Sequence, residues 1–383
     1  MQQVNDSAQT PVKNQQSLKK ILIVHPFLKY YGGAEYMLSE LLEVFPNADI
    51  FTFAYDKKIL KKVGALGRKI ISPFGNGILS HFYREASAIY PALIETYNFS
   101  QYDKIISLSY AYVHGLITSP SQRHISFVLT PMRALWINRP NYWLMNLPFL
   151  SNFFNNLLAS QRLIDRAAAS RPDELIAISR EVQKRVHSYW GLESSVIYPP
   201  VDIEKFIPKE KVVKHDYYIT HSRLVEHKKI HIMINAFMAL KKNLYIVGNG
   251  REKSKLKRLA GDSEYIKFLN FVTEEEKVSL LQKAKGYIFA AEEDFGISPV
   301  EAIAAGTPVL AYKKGGATET VKEGIGGIFF ENQTSKSLLE AFKKFEQLID
   351  SEMFHSQKML ESIREFSCDR FRDKVLSFGS KAQ

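Results

Sequence analysis

Apolar positions along this chain follow two rhythms that alternate. Short, nearly continuous apolar runs recur at Ile21 to Val24, Ile50 to Ala54, Lys104 to Leu108, Ile125 to Val128 and Leu175 to Ile178. Runs of this kind suit strands buried on both faces, as in a parallel sheet. Between several of them apolar residues return at spacings of three and four, as in Ala34, Met37, Leu38, Leu41 and Leu42, which predicts amphipathic helices. The same grammar restarts after Ile197-Tyr198-Pro199-Pro200. Strands are expected at Tyr217 to Ile219, Leu244 to Val247, Ile266 to Leu269, Gly286 to Phe289 and Pro308 to Ala311, with helices at Ile230 to Leu240 and Glu274 to Lys283. Strand–helix alternation predicts an α/β fold with mainly parallel sheets. The paired prolines, which stiffen the chain and stop a preceding helix, suit a joint between two such units. Two α/β halves facing each other would enclose a cleft, the usual place for a ligand. Residues 1–18 carry no hydrophobic period and read as a disordered leader.

Composition narrows the partners. A chain of 383 residues, 45% hydrophobic and 24% charged, suits a soluble globular protein that needs no metal or disulfide staple. The single cysteine, Cys368, excludes an internal disulfide framework and fits a reducing compartment. No long uninterrupted apolar window occurs, so a membrane-spanning helix is not expected. The first 18 residues lack the apolar region of a secretory signal. The expectation is a cytoplasmic protein. The 51 Lys and Arg against 40 Asp and Glu leave +11, which points to an anionic partner: nucleic acid, a phosphorylated small molecule or an acidic membrane surface.

The densest chemistry lies in Ala290 to Val309. A strand ends in the acidic loop Glu292-Glu293-Asp294-Phe295-Gly296, and a helix is expected to begin near Ser298. Ser298 suits the N-cap, Pro299 the first helical position, and Glu301 falls three residues after the cap, as in a capping box. Gly306 suits the helix stop. Glu301 therefore has two readings, a capping carboxylate or a ligand group. The second rests on the helix N-terminus, whose free N–H groups and dipole favour an anion such as a nucleotide diphosphate at the carboxyl end of a strand. Gly296 would let backbone approach that ligand closely. Glu293 and Glu301 could both accept hydrogen bonds from sugar hydroxyls.

The spacing Glu293-(x7)-Glu301, followed by Ala305-Gly306-Thr307-Pro308-Val309, resembles the donor-site signature of retaining glycosyltransferases with the GT-B fold, family four or group 1. The resemblance implies that Glu293 lies by the donor sugar, that Glu301 binds ribose hydroxyls, and that the backbone of Phe295, Gly296, Ile297 and Ser298 cradles sugar and phosphate. Gly32-Gly33-Ala34-Glu35 resembles the family's loop that approaches the diphosphate and the acceptor. Ser222-Arg223-Leu224-Val225-Glu226-His227-Lys228 resembles a signature whose guanidinium and ammonium, here Arg223 and Lys228, stabilise the leaving nucleotide. Phe271-Val272-Thr273-Glu274 resembles a stretch whose backbone contacts the nucleobase. Thr130-Pro131-Met132-Arg133, Arg171-Pro172-Asp173 and Val196 to Asp202 resemble the subset that uses GDP-mannose, with Arg133 expected to contact acceptor or phosphate. The family usually has histidine before Thr-Pro, where this chain has Leu129; His124 does not occupy that position. Phe366-Ser367-x-x-Arg370-Phe371 resembles the segment that crosses back to the first domain, and Phe366, Phe371, Val375 and Phe378 give it an amphipathic pattern.

Other chemistries find less footing. Gly248-Asn249-Gly250 follows a strand, but Lys253 stands where a dinucleotide fingerprint has its third glycine. No Asp-x-Asp, His-Glu-x-x-His, Cys-x-x-Cys, Gly-x-Ser-x-Gly or P-loop pattern occurs, so neither a bound metal nor a cofactor is implied. His187, His215 and His231 read as structural. No nucleic-acid module or basic–aromatic interleaving is present, and no nucleic acid partner is expected.

The resemblance thus implies two Rossmann-like domains, an acceptor domain at 19–198 and a nucleotide-sugar donor domain at 199–362, with a C-terminal crossing helix at 363–383. It implies a metal-independent, retaining transfer of a hexose, mannose for preference, from a nucleotide-diphosphate sugar to a glycan or lipid-linked acceptor in cell-surface polysaccharide synthesis. A second reading, motivated by Leu129, is a protein of the same shape that binds nucleotide sugar or a partner without catalysis. Lys19, Lys20, Lys57, Lys58, Lys61, Lys62, Arg68 and Lys69 crowd the first half. At ~1 kcal/mol per basic residue near an anionic surface, they suit peripheral attachment to the inner face of a membrane.

Overall fold

A computed structural model describes residues 20–77, 80, 89–137, 148–270 and 272–380; the leader expected at 1–18 lies outside them. Two parallel sheets organise the chain. The first contains β1 (Ile21–Val24), β3 (Asp49–Phe51), β5 (Ile70–Ile71), β6 (Lys104–Ser109), β7 (Arg123–Val128), β8 (Glu174–Ala177) and β9 (Ser195–Val196), in the order β5-β3-β1-β6-β7-β8-β9. Two short strands, β2 (Phe27–Leu28) and β4 (Ala54–Tyr55), pair beside it. The second sheet contains β10 (His215–His221), β11 (Leu244–Val247), β12 (Ile266–Leu269), β13 (Ala284–Phe289), β14 (Val309–Tyr312) and β15 (Gly327–Phe330), in the order β12-β11-β10-β13-β14-β15. Every ladder in both is parallel, so the continuous apolar runs are explained by burial on both faces. In β1, Leu22 and Val24 enter one core layer and Ile23 the other.

Each sheet winds outward in both directions from a central pair, β1 with β6 in the first and β10 with β13 in the second. At such a switch point the connections leave on opposite faces and open a crevice beyond the carboxyl ends of the strands, where ligands bind. His25 and Tyr110 directly follow the central strands of the first sheet, and Ser222 and Ala290 those of the second.

The expected strand Ile50 to Ala54 divides into β3 and β4. The buried Thr52 hydroxyl donates to the carbonyls of Pro26 and Ala54, 3.2 Å each, which ties the segment to the turn after β1 instead of to a single ladder. The tail also divides. Phe366 belongs to the short turn Arg364–Phe366 and the helix follows at Cys368–Ser380. That helix buries Phe371 and Val375, brings Phe371 to 6.2 Å from the Phe127 ring, and pairs Arg372 with Glu40 of the Gly33–Val44 helix at 2.8 Å.

Candidate functional site

Beyond β10, the chain turns through Ser222 to Val225 into the short helical turn Glu226–Lys228, and Lys229 takes φ +54° before the Ile230–Leu240 helix. Buried Leu224 anchors this loop, and its N–H donates to Asn249 at 2.9 Å. The Gly-x-Gly after β11 makes that approach possible. A Cβ on Gly248, at φ +134°, would stand 2.0 Å from the Ser222 carbonyl oxygen, and one on Gly250 2.3 Å from that of Leu224. These glycines support the Arg223 loop by letting it lie against them. Arg223 is exposed at the end of β10, while Lys228 is tucked underneath in an ion pair with Glu293.

The acidic loop after β13 is held by a second glycine pair that pattern reading passed over. The Gly316 N–H donates to the Glu293 carbonyl at 2.8 Å, and a Cβ on Gly316 would fall 2.2 Å from the Phe295 carbonyl oxygen. The signal was available: Gly315-Gly316-Ala317 precedes a helix just as Gly32-Gly33-Ala34 does. Phe295 is buried, its ring packed against those of Tyr198 (5.7 Å) and Phe366 (5.3 Å).

The helix itself starts earlier than expected. Gly296 is its N-cap at φ +100°, Ile297–Ala304 are helical, and no side chain caps it. The left-handed turn that only glycine adopts cheaply sets the start, so Ser298 and Pro299 lie inside the first turn and Glu301 is not part of a capping box. A capping box exists instead at Thr273 and Glu276, at the head of the Glu274–Lys283 helix. That helix carries Lys277, which reaches Glu301 at 3.2 Å, while His221 bonds its other oxygen at 2.6 Å. Burial pushes the Glu301 carboxyl up, but the His221 hydrogen bond and Lys277 hold it below its ordinary value. Val272, partly buried against the core, precedes this helix. Gly306 ends the Ile297–Ala304 segment at φ +70°, as a helix stop should.

The two sheets meet across this crevice. A Cβ on Gly33 would stand 2.7 Å from Ile297 Cδ1, so the Gly32-Gly33 loop abuts the start of the Ile297–Ala304 helix. Asp294 takes a hydrogen bond from Arg133 at 2.9 Å and pairs with Arg185, and its carbonyl accepts from the Ser179 hydroxyl at 2.5 Å. Glu319 accepts from the N–H groups of Arg180 and Glu181 at 2.8 and 2.9 Å, satisfying the first turn of the Arg180–Arg185 helix. Arg133 is therefore engaged by the acidic loop as well as near the crevice. Burial, then Arg223 and Arg133, push the Lys228 ammonium down to about 7, with Asp294 acting against them. The ammonium's ion-pair partner is the adjoining Glu293 carboxylate.

Leu129 directly follows β7 and packs its side chain on the core. His124 is wholly buried on β7, bonded to the Ser107 hydroxyl at 2.9 Å, and burial pushes its imidazole down to about 3. It is a core histidine. Among the described residues no cluster of three or more His, Cys, Asp or Glu could hold a metal ion.

Residues 202–359 match the model of the glycosyl transferases group 1 family. The chain is 28% identical over 204 residues to the O-antigen chain mannosyltransferase RfbU of Salmonella typhimurium, covering 50% of this chain and 56% of that protein. It is 30% identical over 199 residues to a GDP-mannose-dependent phosphatidylinositol monomannoside mannosyltransferase of Corynebacterium glutamicum, covering 45% and 52%. The chain thus spans about half the length of these curated relatives. Among solved structures it is similar to Anabaena HepE in complex with UDP, with TM-score 0.71, 18% identity, and coverage of 94% of this chain and 99% of that one.

Proposed function

We propose, from the match of residues 202–359 to the glycosyl transferases group 1 model and from the GT-B fold, that the chain is a retaining hexosyltransferase, with mannose as its preferred sugar and a glycan or lipid-linked acceptor. The observation that carries this reading is the Lys228–Glu293 pair, set with Arg223 beside the free N-terminus of the Ile297–Ala304 helix and opposite the Gly32-Gly33 loop. The donor diphosphate would lie between these groups. The acceptor oxygen attacks the anomeric carbon on the face from which the phosphate departs. The sugar–phosphate C–O bond breaks, its electron pair goes to the phosphate oxygen, and that oxygen takes the acceptor's proton. Arg223, Lys228 and the helix N–H groups stabilise the charge that builds there. Glu293 orients the sugar, and Glu301, steadied by His221 and Lys277, receives the ribose hydroxyls. None of these steps calls on a metal ion. Two of the named relatives are mannosyltransferases, which supports the choice of sugar.

A panel of nucleotide sugars followed by thermal shift tests the donor. A ligand that binds only the folded state adds ~2.7 kcal/mol at 100 times its dissociation constant. GDP-mannose is expected to raise the melting temperature most. A shift with UDP-sugars and none with GDP-mannose would overturn the donor and leave the fold standing. The second reading, a binder that no longer catalyses, is favoured by Leu129. Donor-dependent stabilisation with neither transfer nor donor hydrolysis would establish it.

The membrane address rests on the surface. Lys57, Lys58, Lys61 and Lys62 all project to solvent from one short helix, and Lys62 sits 4.0 Å from the centre of the half-exposed Tyr31 ring. No helix among the described residues is long and apolar enough to cross a membrane. Attachment to vesicles containing an anionic lipid is expected at low salt, with release as salt is raised. Equal binding to neutral vesicles, or none to either, would remove this proposal.

A further inference from the structure

At the second switch point β10 ends on His221, and the Ile297–Ala304 helix brings Glu301 up to it. The two oxygens of that carboxylate are held from different elements. Because the carboxylate is ionised, His221 Nε2 carries the hydrogen and donates to Oε2 at 2.6 Å, while Lys277 Nζ donates to Oε1 at 3.2 Å. Each tether is itself fixed. The His221 N–H donates to the Tyr287 hydroxyl at 3.3 Å, that hydroxyl donates to the His221 carbonyl at 3.1 Å, and the two rings meet edge-on at 5.3 Å. Lys277 also pairs with Glu274 at 3.2 Å, and Glu274 with Lys205 at 2.9 Å. Burial pushes the Lys277 ammonium down, but Glu301 and Glu274 hold it above its ordinary value, so it stays charged. The Glu301 side chain remains 14% exposed, which leaves the carboxylate within reach of a ligand.

We infer that His221 and Lys277 are positioning residues that make this carboxylate selective for an intact ribose diol, so that the chain tells a ribonucleoside diphosphate from its deoxy analogues. The inference rests on the ribose reading of Glu301 above and assigns what sets its selectivity. An ionised carboxylate offers about four lone-pair sites, shared between its two oxygens. One tether on each oxygen leaves a site open on each, an arrangement suited to two neighbouring hydroxyls. With a single tether the carboxylate could turn about its own bond and offer the ligand a changing face. With both, its orientation is settled when the chain folds, and binding does not have to order it again. A site built in this way rejects a ligand that lacks one hydroxyl, because a charged acceptor shielded from water is then left short of a partner. The signal in sequence was weak, since His221 precedes the Arg223 loop and Lys277 lies inside a helix that reads as ordinary.

The test titrates the full chain with GDP and with the two deoxy forms of GDP that each lack one ribose hydroxyl, the uridine series being run in parallel. It needs neither acceptor nor turnover. The parent should bind each deoxy form about ten- to a hundredfold more weakly, the cost of one hydrogen bond to a charged group. His221→Val and Lys277→Met are each expected to bring that ratio close to unity. His221→Gln and Lys277→Arg, which keep a donor in place, should retain most of it. A merely structural role would weaken the nucleotide and its deoxy forms alike and leave the ratio untouched. Pyrophosphate, which has no ribose, should bind the parent and all four variants equally. A parent that does not prefer the intact ribose, or a ratio unchanged in His221→Val or in Lys277→Met, would overturn the inference. Glu301→Ala separates the two levels. Preference lost there but intact in both tether variants removes the positioning role and leaves the ribose contact of Glu301 standing. Preference retained in Glu301→Ala removes the ribose contact itself, and the inference with it.

Discussion

Lys228→Ala is expected to lower turnover by about 100- to 1,000-fold, the loss that follows removal of one preorganised donor to developing charge. The ammonium lies mostly buried against Glu293, in a pocket where Arg223 and Arg133 already crowd positive charge. Its removal takes one cation from the leaving phosphate and leaves the Glu293 carboxylate without its counter-ion. Glu293→Gln should also cost turnover, through the donor sugar, while nucleotide diphosphate still binds. The two assignments therefore separate: Lys228→Ala weakens nucleotide diphosphate binding and Glu293→Gln does not. Because the residues are in contact, the double variant should lose less than the sum of the single losses in free energy. Steady-state kinetics and nucleotide titration read both quantities. Turnover unchanged in either single variant would remove that residue from the site.

The second large effect is expected at a residue that touches no ligand. Gly316→Ala places a Cβ within 2.2 to 2.4 Å of the Phe295 backbone, where no flexible side chain can yield. Forced crowding of this kind costs about 1–3 kcal/mol, and here the strain falls on the loop that carries Glu293 and Asp294. Stability and turnover should drop together, as read by thermal unfolding and by the transfer assay. Gly77→Ala, whose Cβ would meet nothing nearer than 4.0 Å, is the control and should change neither. A Gly316→Ala protein as stable and active as the parent would show that the loop is not held by this contact.

Much of the frame was legible along the chain because its signals are local. Leu244–Val247, Ile266–Leu269, Ile230–Leu240 and Glu274–Lys283 lie where periodicity put them. The helix after the acidic loop was recognised, but its start was misplaced: a good capping residue at 298 competed with a left-handed glycine at 296, and backbone geometry won. Glu301 shows the same limit. Three-residue spacing suggested a cap, whereas its partners, His221 and Lys277, come from 80 and 24 residues away. Asp294 was part of a quoted segment, yet its two arginines, Arg133 and Arg185, sit 161 and 109 residues earlier.

The order of strands and helices, the glycine turns and the residue types bearing charge are consequences of sequence alone, because each depends on neighbours a few positions away. Which charge meets which was decided only when two sheets packed their crevices together. That packing pairs Lys228 with Glu293, closes Asp294 on two arginines and buries His25 beside Glu35. Burial then sets their chemistry, since a charge removed from water depends on its few remaining partners. Those partners are distant in sequence, and no local pattern records them.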